Sequence, residues 1–472
     1  MNQETELCLC SENSRDCAKL KQAVMEPGEK SQHRAGGVVK LRSRESRAQR
    51  KRAVQLRMEQ LARDLCLTGE RRSVWSLLPV NLLMRILKLL PLADRGRCSR
   101  VCMRWHAVCH MPDLWHEFVF EFALETALVS FTPESLIKLI FEKHSADLKH
   151  VTIKVDSQEK SEAMACNVLT QLGCCTLQTL KLRSLLGYSF TSVQPKQVAL
   201  AMGGIFSNSP LKELAVEKTL VDDALLQMMA GKSQATLTSL KIDFCPALSA
   251  SGITSALGIC VHLCELSMDY HQLSDPLLRA LSTPAHVPMK DLNISVVEPD
   301  GKDTETFSWQ NVSQAGWDSF AQHSPDVSFN LHFLKLEEES FANFFHYGLP
   351  VTLLHFGCYV SQPVLCRMAQ HCPRLQVLLL GNTGMEDPVD RAILEIGQRC
   401  KQLRGVELSS SFMSCAGVVR LAKLCGPRLT TLVVFEGMVV EDAECDMERM
   451  VQEASKHLQR PWNVEFFPTW FE

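Results

Sequence analysis

The sequence has no large excess of either charge: 50 lysine and arginine residues stand against 53 aspartate and glutamate residues, a formal net charge of -3. This balance gives no general attraction to nucleic acid or to anionic membranes. No apolar run is long enough to span a bilayer, and the first residues, MNQETELCLC, lack the apolar stretch of a signal peptide. We therefore expect partners that are neither nucleic acid nor membrane.

Although the chain has 20 cysteines, it contains no C-x-x-C spacing. That absence removes the commonest zinc and redox patterns. Without a secretory segment, the cysteines are expected to be reduced thiols. The chain also lacks a phosphate-binding loop and a nucleophile elbow, so we predict no metal site, no cofactor and no catalytic residue.

Residues 1–72 are predicted to form a disordered basic arm. Its run KLRSRESRAQRKR, residues 40–52, carries seven lysine or arginine residues and one glutamate. Such a run is typical of a nuclear-import signal, and it is equally typical of a solvated tail. An import signal would place the protein in the nucleus as well as the cytoplasm.

One apolar pattern recurs from residue 148 to residue 434, with leucine-like residues at positions 1, 4 and 6. Its copies are LKHVTI (148–153), LQTLKL (177–182), LKELAV (211–216), LTSLKI (237–242), LCELSM (263–268), MKDLNI (289–294), VTLLHF (351–356), LQVLLL (375–380), LRGVEL (403–408) and LTTLVV (429–434). A period in the twenties with an L-x-x-L-x-L core indicates a leucine-rich repeat. We predict an α/β solenoid over residues 121–461, in which stacked strand–helix units bury one core and form a concave wall of parallel strands.

Cysteine recurs at one position of these repeats. Four cysteines lie three residues before an opening leucine, and Cys425 lies four residues before one; the four are Cys174, Cys260, Cys372 and Cys400. A thiol is small and apolar enough to fill a tight corner between helix and strand. We therefore predict that these cysteines are packing residues.

The pattern is interrupted between residues 295 and 350. Residues 296–317 are polar and turn-rich, and residues 328–348 combine three consecutive glutamates with aromatic residues. We interpret this region as one repeat with an inserted loop, followed by one irregular repeat. The loop is either a partner contact or a tolerated surface insertion.

Residues 73–120 carry four landmarks in order: Leu78-Pro79, Leu90-Pro91, Val101-Cys102-Met103-Arg104-Trp105 and Pro112-Asp113-Leu114-Trp115. Apolar residues at helical spacing follow the first landmark, and Pro91 is expected to end that helix. A second helix is predicted to carry Cys98, Val101, Cys102 and Trp105 on one face. The cysteines and histidines of residues 101–115 could nominally bind zinc, but Cys102 would then have to leave that face.

This arrangement resembles the F-box, whose pattern consists of these four landmarks. The resemblance implies docking on the Skp adaptor of a cullin ubiquitin ligase, through an exposed aliphatic surface that lies on another helical face. The residues expected to bind the adaptor are Leu78, Pro79, Leu82, Ile86, Leu90, Pro91, Val101, Cys102, Trp105, Leu114 and Trp115.

Other stretches are similar to the F-box/leucine-rich-repeat receptors that target cryptochromes; they are HMPDLW (110–115), FEKHSADLKHVTIKVDS (141–157), HCPRL (371–375), SKHLQR (455–460) and PTW (468–470). In that family an aromatic C-terminal tail inserts into the flavin pocket of the cryptochrome. The tail here, residues 462–472, reads WNVEFFPTWFE and extends two residues beyond Trp470. The resemblance implies that the target is bound by Phe466, Phe467, Pro468, Trp470 and Phe471, whereas Trp462 is expected to cap the last repeat.

The function implied by the resemblance is that of a substrate-recognition subunit, which delivers a target to ubiquitin transfer on other subunits. The alternative is a repeat scaffold that binds a partner without delivering it. Two departures from the F-box pattern favour the scaffold: Asn81 stands where the family usually has glutamate, and Gly96 lies early in the second predicted helix. The two hypotheses differ in what overexpression of this chain does to the half-life of the target.

Overall fold

In the computed structural model of this chain, the described residues are 75, 78–90, 92–123, 131–185, 195–298, 309, 312–345, 348–382, 388–443 and 445–465. The predicted arm, Pro91 and the tail residues after Glu465 lie outside them. The chain divides into two units, Met1–Leu78 and Pro79–Glu472, and every element below belongs to the second.

Three short helices open this unit: α1 Val80–Leu89, α2 Leu92–Cys98 and α3 Met103–Cys109, followed by the 3-10 turn Pro112–Leu114. Helix α1 begins after Pro79, whose carbonyl accepts from the backbone N–H groups of Leu82 and Leu83. It ends at Leu89, and the next residue, Leu90, has an extended backbone (ψ 142°). A residue that precedes proline disfavours the helical conformation, which explains this end.

The prediction of one second helix through residues 98–105 is wrong. Helix α2 ends at Cys98, and Cys102 is fully extended (φ -162°, ψ 166°) before α3 begins. Ser99 Oγ donates to the Gly96 carbonyl at 2.8 Å, a local bond of the kind that competes with helix continuation. Cys98 and Trp105 therefore lie on different helices.

Twelve of the described strands form one parallel sheet in chain order. They are β1 Glu117–Phe122, β2 His150–Val155, β3 Thr179–Ser184, β4 Glu213–Glu217, β5 Ser239–Ile242, β6 Glu265–Asp269, β7 Asp291–Val297, β8 Ser328–Lys335, β9 Leu353–Phe356, β10 Val377–Asn382, β11 Gly405–Ser410 and β13 Thr431–Val434. The short strands β12 Met413–Ser414 and β14 Val439–Val440 form a separate pair. All ten predicted repeat segments lie in this sheet, so the predicted solenoid is confirmed.

Helices alternate with the strands. They are α4 Glu134–His144, α5 Glu159–Leu172, α6 Pro195–Asn208, α7 Asp223–Ser233, α8 Ala250–Leu257, α9 Asp275–Leu281, α10 Gln314–His323, α11 Gln362–His371, α12 Asp390–Arg399, α13 Cys415–Cys425 and α14 Met447–Leu458. None of these described helices is both long enough and apolar enough to cross a membrane.

The register places the same repeat position of neighbouring strands side by side. Leu180 pairs with Leu214, which pairs with Leu240, and the row continues through Leu266 and Leu292. All five side chains are buried. Successive residues of a strand point to opposite faces of the sheet. On each strand, the residues directly before and after the buried leucine therefore lie on the other face, called here the open face.

The interrupted region is one repeat with an inserted loop and one irregular repeat, as interpreted from the sequence. The first contains α10 before β8, and the second joins β8 to β9 through the 3-10 helix Glu338–Asn343 instead of an α-helix. Phe341, Phe344 and Phe345 are buried there, and Phe333 stacks on Phe356 with ring centroids 5.0 Å apart. Most of the inserted loop lies outside the described residues, so its role stays untested.

The predicted packing role of the repeat cysteines is confirmed for Cys260, Cys372, Cys400 and Cys425, which are buried. It is wrong for Cys174, which is exposed. After α5, the backbone N–H of Cys175 donates to the Leu172 carbonyl, and Cys175 is buried in place of Cys174. Burial raises the pKa of the Cys260 thiol to about 11, so this thiol stays protonated and unreactive near neutral pH.

A recurring contact joins the N-termini of neighbouring helices. Asp223, the first residue of α7, accepts hydrogen bonds from the Ser249 backbone N–H (2.8 Å) and hydroxyl (2.6 Å). Ser249 in turn caps α8 by accepting from the Gly252 N–H at 3.0 Å. A Cβ atom at Gly252 would overlap the Asp223 carboxylate, which would have to move away from Ser249 to make room. We call this arrangement the Asp–Ser–Gly clasp; its other copies are Asp275–Ser313–Gly316 and Asp390–Ser414–Gly417.

We predict that Gly417→Ala destabilises the protein, although alanine ordinarily stabilises a helix by about 1 kcal/mol relative to glycine. The new Cβ would lie 2.5 Å from Asp390 Cγ. Overpacking of this kind lowers the free energy of unfolding by about 1–3 kcal/mol. The control is Gly231→Ala in α7, where a Cβ would meet nothing within 4 Å. Thermal unfolding of both variants is the measurement, and a shift to higher temperature in both would contradict a tight clasp.

Candidate functional site

Helix α1 is apolar on two opposite sides. Leu83, Met84 and Leu87 are buried against the rest of the unit. Leu82, Ile86 and Leu89 remain 44%, 37% and 86% exposed. Their spacing of four and then three residues puts them on one helix face, called here the α1 surface. An aliphatic face left in water on so short a helix indicates a site for a protein partner.

The predicted adaptor-binding residues are not all at this surface. Leu82, Ile86, Pro79 and Val101 are exposed, whereas Leu78, Leu90, Cys102 and Trp105 are half-buried and Leu114 and Trp115 are buried. Pro91 lies outside the described residues. Leu89, the most exposed apolar residue of α1, was missed from the sequence, although it lies seven residues after Leu82 and so shares its face.

Leu114 and Trp115 are core residues that support the α1 surface through buried contacts. Trp115 Nε1 donates to the Cys109 carbonyl at 3.0 Å. Its ring lies 4.2 Å from the His144 ring, with an angle of 9° between the two planes. His144 ends helix α4, so this stack fixes the three small helices against the first helix of the repeats. The sequence-based assignment of Leu114 and Trp115 to direct partner contact does not fit this burial.

Arg95 fixes the C-terminal end of α1. Its guanidinium donates to the carbonyls of Lys88 (3.1 Å), Leu90 (3.0 Å) and Leu114 (3.3 Å). These carbonyls have no intrahelical partner, and a charged donor is the strongest side-chain group that can satisfy them. Arg95 therefore holds the α1 surface to the core beneath it. Sequence reasoning missed this residue because its three acceptors are backbone groups, which leave no side-chain pattern.

Of the cysteines and histidines of residues 101–115, Cys109 is buried and Cys102 is half-buried, whereas His106 and His110 are exposed. Burial raises the pKa of the Cys109 thiol to about 11, and Cys109 Sγ donates to the Arg95 carbonyl. Burial lowers the pKa of His144 and of His110, which keeps both imidazoles neutral near pH 7. Among the residues that the structure describes, no group of three or more His, Cys, Asp or Glu could hold a metal ion.

The C-terminal end of the sheet is closed by Trp462, as the sequence predicted. The residue is buried, and its Nε1 donates to the Leu432 carbonyl at 2.7 Å. The next residues continue along the sheet, since Glu465 bridges to Phe435 directly after β13. The described part of the tail, residues 462–465, thus reaches the end of the last strand of the sheet. Phe466, Phe467, Pro468, Trp470 and Phe471 lie outside the described residues, and their role stays a prediction.

Comparison with known proteins identifies both parts of the chain. Residues 75–121 match the F-box-like family model. The mouse F-box/LRR-repeat protein 21 is 38% identical over 398 residues, covering 84% of this chain and 91% of that protein. The sheep and cattle proteins of the same name are each 37% identical over the same shares. A solved structure of the Rad7 and Elc1 complex in yeast aligns with a TM-score of only 0.39 at 14% identity, over 86% of this chain and 96% of that one.

We predict that Arg95→Met loosens the α1 surface, since three carbonyls lose a charged donor. The expected loss is about 2–4 kcal/mol of local stability. Amide hydrogen exchange in α1 and α3 should accelerate accordingly.

The matched control is Arg97→Met on the same helix. Arg97 is mostly exposed and pairs only with Asp94, which is worth about 0–1 kcal/mol. Equal exchange rates in the two variants would show that the Arg95 hydrogen bonds do not hold α1 in place.

Proposed function

This chain belongs to the F-box/leucine-rich-repeat protein family, and on that premise we propose that it is the substrate-recognition subunit of an SCF-type (Skp-cullin-F-box) ubiquitin ligase. The observation that carries the proposal is the α1 surface, an exposed aliphatic helix face within the F-box-like residues 75–121. It suits the helix-in-groove mode of binding, in which aliphatic anchors at helical spacing fill a complementary apolar groove.

The two parts of the chain then have separate tasks. The F-box would bind the Skp adaptor and through it the cullin core, while the repeats and the tail would bind the target. Ubiquitin transfer takes place on other subunits, so the chain needs no catalytic residue of its own. Its work is to hold the adaptor and the target at a fixed separation along one continuous sheet.

For the target we propose a cryptochrome. Support comes from the resemblance of five stretches between residues 110 and 470 to cryptochrome-targeting receptors, and from the aromatic tail that follows Glu465. Large aromatic side chains bury much area at little cost in conformational entropy, and Pro468 limits that cost further. We also propose that the basic run at residues 40–52 directs part of the protein to the nucleus, with the remainder in the cytoplasm.

Leu82→Glu is expected to weaken binding of the Skp adaptor by at least about 30-fold, the size of a binding hot spot. The substitution places a charge on the α1 surface, where the partner would have to desolvate it. The change should leave the fold intact, because Leu82 is already half in water. Gel filtration of the purified chain with excess adaptor, followed by titration, provides the measurement.

Leu200→Glu is the matched control, since Leu200 is 80% exposed on α6, outside the F-box. It should bind the adaptor as the unchanged chain does. An unchanged chain that elutes alone in the presence of excess adaptor would overturn the ligase proposal.

Trp470→Ala is expected to reduce binding of a purified cryptochrome photolyase-like domain by at least about tenfold, whereas Trp470→Phe should keep most of it. Added flavin should compete with the unchanged chain if the tail enters the cofactor pocket. Binding that is indifferent to both the substitution and the flavin would move recognition to the repeats. The absence of any binding would remove cryptochrome as the target and leave the adaptor result standing.

A further inference from the structure

The open face of the sheet carries carboxylates that form ion pairs in one part of the sheet and not in another. On the first four strands, three of the four carboxylates, all but Glu117, are matched by cations of the neighbouring strand. The three ion pairs are Glu121–Lys154 at 2.7 Å, Glu213–Lys181 at 2.8 Å and Glu217–Arg183 at 2.8 Å. Each pair joins adjacent strands of the register, so this part of the face neutralises most of its own charge.

The open face of β5, β6 and β7 is not neutralised in this way. Four carboxylates lie on these strands or, in the case of Asp243, directly after β5, and none forms an ion pair with any residue that the structure describes; they are Asp243, Glu265, Asp269 and Asp291. Lys241 is the cation that shares this face with them on β5. These three strands therefore present an excess of negative charge in the middle of the sheet.

Asp269 is the most unusual member of this acidic stretch. The residue is only 4% exposed, its Oδ2 accepts from the Phe244 N–H at 2.9 Å, and its Oδ1 has no hydrogen-bond partner among the described residues. Asp243 lies in the turn directly after β5 and accepts from the Ser267 hydroxyl at 2.7 Å. The charges of two carboxyl groups in neighbouring repeats thus interact, and one buried carboxyl oxygen is unsatisfied.

This arrangement costs stability. Burial, followed by the charge of Asp243, raises the pKa of Asp269 to about 7. The unfolded chain releases this proton near pH 4, so the stability of the folded chain falls as the pH rises from about 4 to about 7. An asparagine of the same shape would accept from Phe244 without the charge. Groups that strain or destabilise a fold concentrate at binding and catalytic sites, which indicates that the carboxylate has a role outside the fold.

We propose that the open face of β5–β7 binds an arginine- or lysine-bearing segment of the protein target, with one cationic group received between Asp243 and Asp269. The proposal rests on the proposed function in taking the repeats as the target-binding part. A guanidinium donates several hydrogen bonds in one plane and so is suited to the half-buried carboxylate of Asp243, while the buried Asp269 adds negative charge close by. The unpaired Glu265 and Asp291 would attract the rest of a basic segment and orient it along the strands.

The test uses the full chain and a fluorescent peptide of alternating arginine and alanine. The unchanged chain should bind it, with an affinity that falls between low salt and about 0.3 M salt. Asp243→Asn combined with Asp269→Asn should weaken binding at least tenfold. The matched control, Glu134→Gln combined with Glu159→Gln, removes the same charge from exposed first turns of α4 and α5 and should leave binding unchanged.

Thermal unfolding at pH 8 gives a second readout. Asp269→Asn should melt at a higher temperature than the unchanged chain, because it removes a buried charge. Equal peptide binding by the acidic-stretch variant and the control variant would overturn the proposal, as would failure of the unchanged chain to bind. If Asp269→Asn instead melts at a lower temperature, peptide binding is measured with Asp243→Asn alone. That variant keeps the side-chain oxygen that accepts from the Ser267 hydroxyl, so it should fold and should bind the peptide more weakly.

Adaptor binding by the same variants separates this inference from the proposed function. Both asparagine variants should bind the Skp adaptor as the unchanged chain does, because the F-box is untouched. If the unchanged chain does not bind the adaptor, the ligase proposal fails, and the peptide result is not affected. A peptide that fails to bind beside an intact adaptor complex would remove only the acidic site.

Discussion

The structure depends on the fact that no single repeat can bury its own leucines. A strand and a helix of about 26 residues leave one apolar face open, and only the next repeat can cover it. The row of leucines from Leu180 to Leu292 is the result, because each buried side chain lies beside its counterpart. The Asp–Ser–Gly clasp adds a polar link of the same kind at the helix N-termini. Cohesion is therefore local, and it is repeated along the whole sheet.

Because cohesion is local, one repeat can be rebuilt without disturbing the others. Between β8 and β9 an α-helix is missing, and the space is filled by the side chains of Phe333, Phe341 and Phe345. A phenylalanine cluster buries enough area to replace the apolar face of a short helix. Leu331 still pairs with Leu354 across this repeat, so the parallel strand pairing is unchanged by the replacement of the helix. An insertion before α10 is tolerated for the same reason.

The repeats could be predicted from the sequence because their period is visible in the leucines. Strands β1 and β8 fell outside that pattern because phenylalanine takes the buried positions, Phe120 and Phe333 among them. The α1 surface was also foreseen through Leu82 and Ile86, since helical spacing and the F-box landmarks both indicated it. The hydrogen bonds from Arg95 that hold the α1 surface in place could not be predicted from the sequence, because their acceptors are backbone carbonyls. Likewise, the isolation of Asp269 follows from its neighbours across strands, which a local pattern does not contain.

Both ends of the sheet are closed by tryptophan, and each closure lies beside a proposed binding segment. Trp115 donates to a backbone carbonyl and stacks on the first repeat helix, directly after the F-box helices. Trp462, the first residue of the aromatic tail, donates to the Leu432 carbonyl. Indole is suited to this task because it covers a large apolar area and satisfies one exposed carbonyl. Since the sheet between the two tryptophans is continuous and parallel, its number of strands sets the distance between the α1 surface and Trp462. Insertion or removal of one regular repeat should therefore change how far the target is held from the adaptor while leaving both binding surfaces intact.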